Sequence, residues 1–140
     1  MARPAVNSFS AELPCGPAAP QLARQFVNRA VVELFGRRAG SGQLVEDAQL
    51  VASELATNAV AAGCDMLTIE MHDDGNEVIL DVSDDAGGWP IQKHAEPTDV
   101  SGRGLQIVDA VSLEWGVEEV PGAGKRVWAA LPGPRRLSLA

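Results

Sequence analysis

The apolar periods of this chain come in an order that few folds accept. An alternating stretch is followed by two helical stripes in succession. Two alternating stretches come next, then a long aperiodic segment, a third helical stripe and two closing alternating stretches. A doubly wound parallel sheet needs strand and helix to alternate, so the order β-α-α-β-β-loop-α-β-β speaks against it. The fold class it predicts is α+β, a two-layer α/β sandwich with three helices on one face of a mostly antiparallel mixed sheet.

The segments are as follows. Phe9, Ala11 and Leu13 alternate with polar residues, and Pro14-Cys15-Gly16-Pro17 ends that strand. Leu22, Phe26, Ala30 and Leu34 recur at helical spacing over 20–36, with Gly36 as the stop. Ala48, Val51, Ala52, Leu55, Ala59 and Ala62 form the stripe of a second helix over 45–62, with Gly63 after its last turn. Leu67, Ile69 and Met71, then Val78, Leu80 and Val82, alternate around the turn Asp73-Asp74-Gly75-Asn76 and predict an antiparallel hairpin. The segment 86–101 has little periodicity and carries Gly87, Gly88, Pro90 and Pro97. Aperiodic stretches of that length in a compact domain are usually functional or mobile. A third helix is predicted from about Gly102, and strands over 113–120 and 126–131 flank Pro121-Gly122-Ala123-Gly124. The expected organisation is a flexible start at 1–6, one domain over 7–131 and a tail at 132–140.

With 140 residues the chain suits a single domain that can bury its own core. Its formal net charge of −8 argues against a general nucleic-acid surface. A polyphosphate ligand would therefore need local positive potential, which helix N-termini, backbone amides and Mg²⁺ supply. No signal peptide is visible and no apolar run approaches about 18 residues, so a cytoplasmic protein without a membrane span is expected. Cys15 and Cys64 form no C-x-x-C pair and read as reduced thiols on the compartment rule. His72 and His94 lack a metal-ligand pattern, and Met66 and Met71 read as packing residues.

Three features carry chemistry. Glu54 and Asn58 stand at i, i+4 on one helix face, at the border of its apolar stripe. A carboxamide oxygen is a hard ligand suited to Mg²⁺, and a glutamate can serve as a base. The same pair also describes a solvated glutamate beside a packing asparagine. Asp84 shares the strand parity of Val78, Leu80 and Val82, so it points inward at the strand end, where a carboxylate needs a partner. The exocyclic amine of adenine is such a partner, and water in an exposed Asp84-Asp85 turn is the alternative. Gly87-Gly88 and Gly102-Arg103-Gly104-Leu105 permit close backbone approach to a ligand, and the second pair opens a helix whose amides favour an anion. An ordinary loop-to-helix turn has the same composition.

Taken in order, these residues resemble a known family. Glu54-Leu55-Ala56-Thr57-Asn58-Ala59-Val60 resembles the N box of the gyrase, chaperone, histidine-kinase and MutL (Bergerat-fold) ATPases. Asp84-Asp85-Ala86-Gly87-Gly88 resembles their D-x-G-x-G box, and Gly102-Arg103-Gly104-Leu105-Gln106-Ile107-Val108 their second glycine box. Trp115-Gly116-Val117 and Gly124-Lys125-Arg126-Val127-Trp128 look like the closing hairpin of the small anti-sigma-factor serine/threonine kinases, especially those of actinobacteria. The resemblance spans about 7–131.

It implies an ATP-binding regulatory kinase with Mg²⁺, acting as an anti-sigma factor and phosphorylating an anti-sigma-factor antagonist. Two alternatives share the motifs: an ATP-binding partner module without turnover, and a nucleotide-free scaffold. Asn58 would hold Mg²⁺ and Glu54 would be the base. Asp84 would take the adenine amine, partly through water. Ala62 would line the base pocket, Gly88 would allow close approach and Trp89 would pack on the ring. Residues 89–101 would form a lid, and Gly102, Arg103, Gly104 and Leu105 would cradle phosphates. The partners implied are a sigma factor, its antagonist and a second copy of the chain in a homodimer, with no direct nucleic acid. The chain departs from the pattern with Ala86 for the first glycine, Ala61-Ala62 where a basic residue is common, and Arg126 where relatives have threonine.

Overall fold

A computed structural model describes residues 7–36, 42–85, 100–120 and 124–134. The elements run β1 (Ser8–Pro14), α1 (Ala19–Phe35), α2 (Gly42–Ala61), β2 (Met66–Asp73), β3 (Glu77–Asp84), α3 (Val100–Val111), β4 (Glu114–Val120) and β5 (Gly124–Pro132). The strands form one sheet in the order β1-β2-β3-β5-β4. All four pairings are antiparallel. This is the expected α+β architecture.

Strand parity builds the core. Leu67, Ile69 and Met71 of β2, Val78, Leu80 and Val82 of β3, and Val127, Ala129 and Leu131 of β5 are all buried. They meet Ala23, Val27 and Ala30 of α1 and Ala48, Val51, Ala52 and Leu55 of α2 in one cluster. Small residues on both helices let α1 and α2 pack closely, and α2 lies over β3 and β5. Phe9 of β1 stacks on Phe26 of α1, with ring centroids 5.7 Å apart, and anchors the edge strand.

Turn chemistry sets the boundaries. Gly36 has φ 75°, and its N–H donates to the Val32 carbonyl, which closes α1. At the end of α2 the Gly63 N–H donates to Val60 and the Cys64 N–H to Ala59, with Gly63 at φ 86°. That is a Schellman closure, which needs the left-handed residue glycine supplies. In the β2–β3 turn the Gly75 N–H donates to Asp73 Oδ1 at 3.0 Å.

Three expectations need correction. α2 begins at Gly42 and α3 at Val100, each two or three residues earlier than apolar periodicity predicted, because a first turn needs no apolar residue. The cysteines are not free: Cys15 and Cys64 form a disulfide, with Cα atoms 5.7 Å apart. Cys15 follows β1 and Cys64 precedes β2, so pairing of these strands brings the two together. The Cys15 N–H also donates to the Asp65 carbonyl at 3.0 Å. No helix among the described residues is long and apolar enough to cross a membrane.

Candidate nucleotide site

The site gathers at one end of the sheet, under α2. Asn58 lies on the buried side of this helix between Leu55 and Ala59 and is only 5% exposed. Its carboxamide makes no hydrogen bond to the described residues, and it keeps a path to solvent, since the fully buried unpartnered side-chain group among them is Ser112 Oγ. Glu54, one turn earlier, is half-buried at the edge of the same face, and Ala62 is half-buried where the helix ends. The i, i+4 spacing thus sorts the two polar groups by depth, with the amide deeper than the carboxylate.

Asp84 is the last residue of β3 and is 5% exposed, as its parity predicted. It lies opposite Leu67 of β2 and Lys125 of β5. Lys125 Nζ donates to Asp84 Oδ1 at 2.9 Å, and both side chains are almost fully buried. An ion pair this far from water holds only because each charge answers the other. Asp85 points to the neighbouring turn, where its Oδ1 accepts the Asp65 N–H at 3.1 Å.

The two cations after Gly124 lie on opposite faces of β5. Arg126 has the opposite parity and lies on the sheet face away from the helices. There it donates to Asp81 Oδ2 and Glu118 Oε2, each at 3.1 Å. Burial pushes the Asp81 carboxyl above its ordinary value, against the pull of Arg126. Lys125 is the residue that faces the site. Its alternation with Val127, Ala129 and Leu131 carried that signal.

α3 packs on α2 and brings the glycine segment beside it. Because α3 starts at Val100, Gly102 and Arg103 belong to the first turn. The first four amides of a helix have no intrahelical acceptor, so those near residues 100–103 have none within α3, and Gly104 and Leu105 lie one step further in. Leu105 is 9% exposed and Val108 fully buried, which fixes the helix on the core. Ala86, Gly88, Trp89, His94 and the 89–101 lid up to residue 99 lie outside the described residues.

A nearly buried carboxamide with no hydrogen bond to the described residues, a buried carboxylate at a strand end and a helix N-terminal turn are groups of the kind that a metal-bound nucleotide needs. The family model of histidine kinase-, DNA gyrase B- and HSP90-like ATPases matches residues 44–135. The chain belongs to this family. The matched span holds α2 from Leu44 onward, the hairpin of β2 and β3, α3 and the closing strands, and so every residue named for the site. In fold the chain is similar to the crystal structure of the RsbU and RsbW domains of Rv1364c from Mycobacterium tuberculosis, with a TM-score of 0.62 at 17% identity. That likeness covers 94% of this chain and 34% of the other, so the chain spans about a third of its neighbour. No curated protein matches the chain.

Proposed function

We propose that this ATPase-family chain binds ATP with Mg²⁺ and works as a regulatory serine/threonine protein kinase. In this reading it is a cytoplasmic anti-sigma factor that phosphorylates an anti-sigma-factor antagonist and pairs as a homodimer. The observation that carries the ATP site is the nearly buried Asn58, whose carboxamide makes no hydrogen bond to the described residues, on the helix that lies over the strands of Asp84 and Lys125. The finer reading rests on the resemblance of the three boxes and the closing hairpin to the small anti-sigma-factor kinases.

Asn58 offers its carboxamide oxygen to Mg²⁺, and Asp84 accepts from the adenine amine. Ala62, Gly88 and Trp89 line the base. Gly102, Arg103, Gly104 and Leu105 hold the phosphates by amides and one guanidinium. Glu54 takes the proton of the attacking serine or threonine hydroxyl. The bound nucleotide supplies the phosphoryl group, and the protein contributes positioning and charge neutralisation.

A second reading, an ATP-binding partner module without turnover, has one observation in its favour. Lys125 and Arg126 are committed to Asp84 and to Asp81 with Glu118, so neither is placed to neutralise phosphates. The test has two stages. Thermal unfolding with ATP and Mg²⁺ should show stabilisation of about 2.7 kcal/mol at a hundred times Kd, and no shift at millimolar ATP would leave only a nucleotide-free scaffold. Labelled ATP with candidate antagonists then separates kinase from module: phosphoserine or phosphothreonine marks the kinase, and a complex without transfer marks the module.

A further inference from the structure

We propose that Lys125 reads the nucleobase: its ammonium donates to the ring nitrogen N1 of adenine while Asp84 accepts from the adjacent N6 amine. The inference rests on the ATP reading above and adds to it a specificity-determining residue. Three observations carry it. The Lys125 side chain is 3% exposed, and its hydrogen bond among the described residues goes to Asp84 Oδ1, a carboxylate that makes a further interaction besides this one. An ammonium has three N–H donors, so a buried one with a single acceptor leaves two that water cannot readily serve. Those donors lie beside the carboxylate assigned to the base, where β3 ends and β5 begins.

The pattern selects its ligand. Asp84 and Lys125 place an acceptor next to a donor, within 2.9 Å of each other. Adenine offers the complement on adjacent atoms, a donor at N6 and an acceptor at N1. Cytosine offers the same order at N4 and N3, so the pair reads an amino edge and not the size of the base. Inosine and guanine also offer an acceptor beside a donor, but with O6 and N1–H exchanged in position. A lysine committed to this edge is a charge spent on the base, which explains how a chain of net charge −8 keeps a cation in the site without using it for phosphate.

The test compares ADP with 1-deaza-ADP, which keeps the N6 amine and replaces N1 by C–H, by calorimetric titration of the full chain with Mg²⁺. Hydrogen bonds to a charged donor are worth enough to predict at least about 10-fold weaker binding of the deaza analogue. Lys125→Met should weaken ADP by a similar factor and erase the difference between the two ligands, as a double-mutant cycle requires for a direct contact. Equal affinity of the native chain for both ligands overturns the proposal and leaves the ATP site standing. So does Lys125→Met that binds ADP as tightly as the native chain, which would mark the ion pair as a closed lock. Binding of neither ligand by the native chain overturns this proposal and the ATP reading together. The native-chain comparison decides the matter even where the variant fails to fold.

Discussion

Gly124 stands against the backbone of Asp84 so closely that a β-carbon there would collide with the Asp84 carbonyl oxygen and lie 2.8 Å from its carbonyl carbon. Its φ of 96° is also one that L side chains rarely adopt. The strand that delivers Lys125 and the strand end that carries Asp84 are thus set together by a missing side chain. Gly124→Ala should cost at least about 1–3 kcal/mol from backbone strain alone, with the collision in addition. Urea midpoints measure the loss. Because the shift must be taken up at Asp84, nucleotide affinity should fall even where the variant stays folded. A variant as stable as the native chain would show that this approach is not tight in solution.

The strands and their faces were legible because period-two alternation is a local property: Asp84 was placed inward by counting from Val82. The same count from Val127 places Lys125 on the core side and Arg126 on the other. The Cys15–Cys64 bridge was not legible. Nothing local joins residues 49 apart in sequence, and only the pairing of β1 with β2 makes them neighbours. The start of α3 was missed because glycines in a first helical turn look like a loop when the apolar period begins later.

The depth difference between Asn58 and Glu54 separates their variants. Asn58 makes no side-chain hydrogen bond to the described residues, so Asn58→Ala should alter stability by no more than about 1 kcal/mol. It should also abolish the Mg²⁺-dependent part of the thermal shift by ATP. Glu54→Gln keeps shape and leaves the ATP shift intact, while transfer to the antagonist falls by 10²-fold or more, on the order expected for loss of a general base. Transfer unaffected by Glu54→Gln removes Glu54 from the chemistry. An Asn58→Ala chain that keeps its Mg²⁺ dependence removes Asn58 from the metal site.

The disulfide predicts a redox-dependent stability. Closing a loop of 49 residues raises stability by up to about 4 kcal/mol in the chain-entropy picture. Oxidised protein should show no reactive thiol in denaturant, and added reductant should lower its urea midpoint. Cys15→Ser with Cys64→Ser should reproduce the reduced midpoint and make it indifferent to reductant. Equal midpoints with and without reductant would mean that the bridge adds nothing to the fold.

Asp81 gives the open face of the sheet a pH dependence of unusual sign. Most carboxylates in folded proteins have lowered values and stabilise the native state more as pH rises. Here burial raises the Asp81 carboxyl above its ordinary 3.8, and Glu70 and Glu118 add to the rise, while Arg126 opposes it through charge and hydrogen bond. The native state therefore holds this proton more tightly than the unfolded chain does. Stability from this group is full below about pH 4 and is lost as pH climbs through the raised native value. Asp81→Asn stays neutral at every pH and still accepts from Arg126. The stability of Asp81→Asn relative to the native chain should thus increase between pH 4 and pH 7, measured by urea unfolding at both. Arg126→Met removes the opposing cation, so the decline with pH should steepen in that background and vanish again when Asp81→Asn is added. A variant that loses ground to the native chain over this range would show that the ion pair with Arg126, at 3.1 Å, outweighs the cost of burial.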